Sequence, residues 1–217
     1  MELTTKQIQE IENYLNVKDI IYIDLRPEVL DHIVSEIEEK MEIEKVTFLN
    51  AFATSKQKWN AQLQETTSMF FGLGFSAPKI VIQKAKKVYW KQYLLLLVSY
   101  FLPFLSFTHF DFKVENPDNL TFFIVAKYIV GFSLLAFFYM LFFKNRKIKT
   151  TYGFILKSQS LGVLTGLIVF LIIVNKLKEL NGIHIGMICS YLFITYSYYN
   201  FFKKHKEVVT KHQISKT

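Results

Sequence analysis

The sequence predicts an all-α protein: a small three-helix cytoplasmic head over residues 1–65, then a four-helix transmembrane bundle over 92–203. Three observations predict it. Charge is split. Through Glu65 there are seven Lys/Arg against thirteen Asp/Glu, and from Thr66 onward nineteen against five, so balances of −6 and +14 lie within the net +8. Hydrophobic pattern is split too, with helical periodicity in the head and continuous apolar runs in the body. Last, Thr121 to Phe143 reads TFFIVAKYIVGFSLLAFFYMLFF and stops at Lys144-Asn145-Arg146-Lys147-Ile148-Lys149. About 20 apolar residues at ~1.5 Å rise cover a ~30 Å hydrocarbon core, and a basic stop favours the cytoplasmic side.

In the head, Ile8, Ile11 and Leu15 mark a first helix over about Thr5 to Leu15. An extended link, Asn16 to Leu25, carries the β-branched Ile20, Ile21 and Ile23. Asp24 is placed to cap a second helix with Pro27 in its first turn, running to about Met41. Its apolar stripe is Val29, Leu30, Ile33, Val34, Ile37 and Met41; Glu28, Asp31, Glu36, Glu38 and Glu39 lie largely off it. Thr47 is placed to cap a third helix bearing Phe48, Ala51, Phe52, Trp59 and Leu63. Three short helices bury little area, so the head leans on a partner, a second copy or the body.

Tyr14-Leu15, the run from Glu28 to Met41 with its internal His32, and Thr47-Phe48-x-x-Ala51-Phe52 with Trp59 resemble the HAAS-type helical domain of bacterial membrane proteins. The resemblance covers roughly the first sixty residues. Arg26 matches the basic residue that often precedes the Glu-rich helix. Where the family usually has Gly before the third helix, this chain has Glu44-Lys45. The resemblance implies a cytoplasmic interaction or signalling module tethered to membrane helices, without chemistry of its own.

His32, Glu36 and Glu39 share a helix face, with Glu28 one turn earlier. Such spacing suits a metal ligand set, but no second His or Cys stands nearby. The face reads as solvated acid or as a docking face for a basic partner. Cys189, alone in an apolar run, permits no internal disulfide and no thiolate metal site. No cofactor or metal is expected. The N-terminus lacks a basic region followed by an apolar one, so the head is expected to stay in the cytoplasm.

Residues 66–91 read as a hinge, with Gly72-x-Gly74, followed by a basic juxtamembrane helix opening at Pro78. Lys84, Lys86, Lys87 and Lys91 there suit an anionic headgroup layer better than nucleic acid. Spans are expected at about 92–110, 121–143, 152–174 and 182–202, with a basic tail over 204–217. Basic flanks alternate rich, poor, rich, poor, rich. That pattern fits four crossings of the inner membrane with both termini cytoplasmic. Pro103 should bend the first span and free the carbonyl near Ser99.

Ser158, Gly162 and Gly166 repeat every four residues, as do Gly182, Gly186 and Ser190. Such strips let helix backbones approach, within the chain or in a homo-oligomer. Tyr191, Tyr196, Tyr198 and Tyr199 read as an aromatic belt. His109, Asp111, Lys127 and His184 fall near the outer ends of their spans. They are either interfacial or a converging polar cluster. No His-Glu-x-x-His, serine elbow or phosphate loop is present, so no enzyme is expected. The expectation is a non-enzymatic inner-membrane protein whose head binds a cytoplasmic protein or takes part in signalling. The alternative is a small transporter with its vestibule at His109, Lys127 and His184.

Overall fold

The computed structural model describes residues 2–110, 114–115, 120–142, 147–176 and 179–214. Among them are seven α-helices and two small two-stranded sheets, in two compact units. Unit 1 holds Met1–Lys86, Arg146–Phe154 and His205–Thr217; unit 2 holds Lys87–Asn145 and Ile155–Lys204.

Unit 1 begins with α1 (Thr5–Val17), which starts at a reciprocal cap. The Thr4 hydroxyl accepts from the Gln7 N–H at 3.4 Å, and Gln7 Oε1 accepts from the Thr4 N–H at 2.8 Å. Two donors that helix geometry leaves orphaned are thereby satisfied. Its Ile11 and Leu15 are fully buried, as are Val29, Ile33 and Ile37 of the next helix's apolar stripe and, further on, Ala51 and Leu63. That next helix is α2 (Arg26–Ile43), and Ala51 and Leu63 lie on α3 (Phe48–Leu63).

The expected extended link is instead a run of turns. The Ile20 N–H bonds Leu15 O, Asp19 takes a left-handed φ of 53°, and the Leu25 and Arg26 N–H groups both reach Tyr22 O. Arg26 holds the turn by donating to Ile20 O and Glu12 O at 3.1 and 3.3 Å. Those two carbonyls take the guanidinium fork, so an extended strand is not needed to satisfy this backbone. Asp24 does not cap α2, whose N-cap is Leu25 with no side-chain bond; Thr47 sits at the N-cap of α3, also without one.

The segment read as a hinge forms an antiparallel hairpin, β1 (Glu65–Ser68) with β2 (Gly72–Pro78), in which Glu65 faces Pro78 and Thr67 faces Ser76. Phe71 at its tip is buried edge-on to Phe154, with centroids 5.2 Å apart.

Unit 2 is built from α5 (Leu120–Phe142) and the larger parts of α4 (Lys79–His109), α6 (Thr151–Lys176) and α7 (Gly182–Ile214). A short ladder pairs β3 (Val114–Glu115) with β4 (Glu179–Leu180). The strip on α7 is packed inside the chain. A Cβ on Gly186 would stand 2.8 Å from Tyr100 O, and one on Gly182 would stand 2.8 Å from Phe104 O. Only a hydrogen fits where α7 lies against the α4 backbone. By contrast, a Cβ on Gly162 or Gly166 would meet nothing within 4 Å. Helix α4 continues through Pro103.

The fold is all-α, but the four-span expectation is overturned. Among the described residues one helix, α4, is long and apolar enough to cross a membrane. Among the described residues α5 contributes a shorter apolar stretch, Lys127–Phe142. In α7, Thr195, Tyr196, Ser197, Tyr198 and Tyr199 dilute the apolar run, and the helix goes on into Lys203, Lys204 and Lys206. The multi-pass inner-membrane location, the bilayer as partner, the membrane-borne head with its cytoplasmic protein partner and the transporter alternative all rested on that count, and they fall with it.

Candidate functional site

The expected docking face is largely consumed inside unit 1. Glu36 accepts from Ser55 Oγ at 3.2 Å, from Lys58 Nζ at 2.9 Å and from Trp59 Nε1 at 3.1 Å, and it pairs with Lys40 at 3.1 Å. Burial alone would disfavour its charge. The hydrogen bonds from Lys58, Lys40 and Trp59 outweigh that and hold its pKa at about 2. Glu36 is thus a bolt between α2 and α3. Glu28 pairs with Lys84 at 2.7 Å, tying α2 to the start of α4. His32 and Glu39 remain exposed. Among the described residues no group of three His, Cys, Asp or Glu is placed to hold a metal ion.

A second polar junction lies in unit 1 and was missed. Asp24 accepts the Thr151 N–H with both oxygens, at 2.9 and 3.1 Å, and so caps α6 across 127 residues. A carboxylate there also complements the positive end of the helix dipole. The Ile23 N–H bonds Lys149 O at 3.1 Å, and Lys149 Nζ pairs with Asp19 at 3.2 Å. Thr150 is fully buried; its hydroxyl accepts from the Gly153 N–H and shares a proton with His205 Nδ1, both at 2.8 Å. His205, on the last part of α7, is itself completely buried. Gly153 leaves it room: a Cβ there would be 3.3 Å from His205 Nδ1. Tyr22 stands beside this turn, and burial, with the charges of Asp19, Glu65 and Asp24, pushes its pKa up to about 12. Both hydroxyl and imidazole are sealed from solvent, and together with Asp24 they form a structural clasp. The one local signal for it is Thr150 standing ahead of an apolar run.

Of the expected polar cluster, His109, Lys127 and His184 lie among the described residues. Asp111 lies outside the described residues. His184 works locally at the start of α7. Its Nδ1 accepts the Asn181 N–H at 3.3 Å, while Asn181 Oδ1 accepts from the Ile183 and His184 N–H groups. Among the strip serines, Ser158 and Ser190 turn their hydroxyls back to Ile155 O and Met187 O.

A groove of about 690 Å³ lies in unit 2, between α5 and α7. Tyr128, Ile129, Phe132, Ala136, Tyr139 and Met140 form one wall, and Leu192, Thr195, Tyr196, Tyr199 and Phe202 the other. Across it the Ser133 hydroxyl donates to Val130 O at 2.8 Å and meets the Tyr191 hydroxyl at 2.7 Å. Thr195 Oγ1 donates to Tyr191 O at 3.1 Å. Every lining Ser or Thr hydroxyl is thus spent within the protein, and the groove offers an incoming molecule carbon. Of the tyrosines expected as a belt, Tyr191 and Tyr198 are buried; Tyr196 and Tyr199 are exposed along this groove.

Compared with protein-family models, with curated proteins and with solved structures, the chain finds no match in any of the three.

Proposed function

We propose that the chain is a non-enzymatic binding protein that takes an elongated, uncharged apolar molecule into the groove between α5 and α7, and that its N-terminal helices form a HAAS-type module. The observation that carries the proposal is the pairing of volume with chemistry. About 690 Å³ falls inside the ~300–1,000 Å³ typical of small-molecule sites. Its Ser and Thr groups are already satisfied by Val130 O, Tyr191 O and Tyr191 Oη. An apolar body entering there strands none of those Ser and Thr hydroxyls and gains roughly 25 cal/mol for each Å² of carbon removed from water. A charged or strongly hydrogen-bonding ligand would lose its hydration with nothing in return.

The HAAS-type assignment rests on the residues quoted for it and draws support from Arg26. That residue's guanidinium organises the turn before the Glu-rich helix.

The test is a titration of the full chain with a pyrene-labelled sixteen-carbon alkyl chain. Saturable binding at one per chain is expected. Ala136→Trp, which fills the groove, should weaken it at least tenfold. Leu102→Gln, on the exposed face of α4, should leave it unchanged. Equal weakening by both substitutions, or by neither, would show that the probe merely adheres to exposed carbon.

A further inference from the structure

The groove between α5 and α7 differs at its two ends. Ser133 on α5 meets Tyr191 on α7 at 2.7 Å, and further along Phe137 meets Tyr198 with centroids 5.0 Å apart. These contacts advance in the same sense on both helices, so α5 and α7 run parallel along the groove. The same pairing sets Phe132 about level with Leu192, Ala136 with Tyr196 and Tyr139 with Tyr199.

Toward the start of the two helices, rings line only the α5 wall, at Tyr128 and Phe132, opposite the aliphatic Leu192. Toward their ends, rings line both walls. Tyr139 on α5 is 54% exposed, and Tyr196 and Tyr199 on α7 are 60% and 51% exposed. Between them stands Ala136, the smallest side chain of the lining, over the buried Met140 and Phe202. Tyr196 and Tyr199 are three residues apart, a rise of about 4.5 Å, so both fall within the width of one or two fused six-membered rings. Ring pairs, offset-stacked or edge-to-face, attract beyond what their buried area supplies. A cation could also use ring faces, but no lining residue is acidic, and the exposed Lys203 follows Tyr199 by one turn on the same face.

We infer that the groove selects a chain carrying one flat, uncharged, conjugated ring, with the ring among Tyr139, Tyr196 and Tyr199 and the chain running toward Ile129 and Leu192. The inference rests on the reading of the groove as an apolar binding site. It adds what the groove prefers and which way round the ligand lies.

The test is displacement of the pyrene-labelled alkyl chain from the full chain by two competitors of one skeleton, 2-hexylnaphthalene and 2-hexyldecalin. Decalin is the more hydrophobic, so simple adhesion to carbon favours it. The naphthalene is expected to displace at least fivefold better. In Tyr196→Leu/Tyr199→Leu that ratio should fall below twofold, and Tyr128→Leu, at the other end, should lower it less. Leu102→Gln, on α4, should leave it unchanged. Displacement by both competitors alike, or better by the decalin, would overturn the inference while the groove reading stands. A pyrene probe that does not bind at all would overturn both. A larger fall from Tyr128→Leu than from the double variant would overturn the orientation. The ratio is read first on the unaltered chain, so a variant that fails to fold does not rescue the inference.

Discussion

The two units are held together by different means. In unit 1, polar groups reach across long stretches of sequence: Asp24 to Thr151, Asp19 to Lys149, Glu28 to Lys84, Thr150 to His205. In unit 2, polar groups mostly fold back on their own helices. Ser99, Ser106, Ser133, Ser158, Ser160 and Ser190 each donate to a carbonyl three or four residues earlier. What touches between helices there is glycine against backbone and ring against ring, as with Phe137 and Tyr198 at 5.0 Å. The contrast teaches that unit 1 depends on charge and hydrogen-bond geometry, and unit 2 on shape. Acid should loosen the first and spare the second; added volume should do the reverse.

Nature has placed one tryptophan in each unit, Trp59 and Trp90. With Trp90→Phe or Trp59→Phe as background, fluorescence-monitored unfolding reads the units separately. The largest effect is expected from Gly186→Val. Its new carbon would stand 2.8 Å from Tyr100 O, a backbone atom that cannot step aside, so unit 2 should lose about 3 kcal/mol or more. The Trp59 signal should stay near its original midpoint.

Next comes Glu36→Ala, which unbolts α2 from α3 and should cost unit 1 about 2–3 kcal/mol. Acid gives the same reading without mutation. The folded pKa of Glu36 lies below its unfolded value of about 4.5, so its contribution is complete above that value and fades as pH falls toward 2. The Trp59 midpoint should drop across that window by more than the Trp90 midpoint. Equal shifts would erase the distinction between the units.

Asp24→Ala removes the cap from α6 and should cost about 1–2 kcal/mol, read by Trp59. The smallest change is a gain. Lys45 is exposed and held at a φ of 54° just beyond α2, the left-handed position where glycine is at ease. Lys45→Gly should stabilise unit 1 by about 1 kcal/mol, measured as a rise in the Trp59 midpoint.

How legible this was depended on distance along the chain. The three head helices and their stripe could be read because helical spacing is local: Ile11, Leu15, Val29, Ile33 and Ile37 are all buried as the periodicity requires. The glycine pattern at Gly182 and Gly186 was readable as a close approach, though not its partner on α4. Asp24 was readable as a cap and was assigned to the nearest helix, because nothing local distinguishes α2 from an α6 that starts 127 positions later. Glu36 looked like surface acid because its partners lie on another helix. The groove needs α5 and α7 side by side, a juxtaposition no periodicity reports. The count of membrane-crossing helices failed for a different reason: apolar residues were tallied without the hydroxyls of α7.

The clasp at Asp24 also orders events during synthesis. The ribosome delivers the head first, with the Asp24 carboxylate still hydrated. At roughly 5–20 residues per second, Thr151 follows some 6–25 s later, and His205 after that. Until then the nascent head carries an unspent anion and Thr150 has no imidazole to meet. Helix α7 is therefore the one that closes the first domain to have formed, and its arrival, not the folding of the head's own helices, sets the moment at which unit 1 becomes whole.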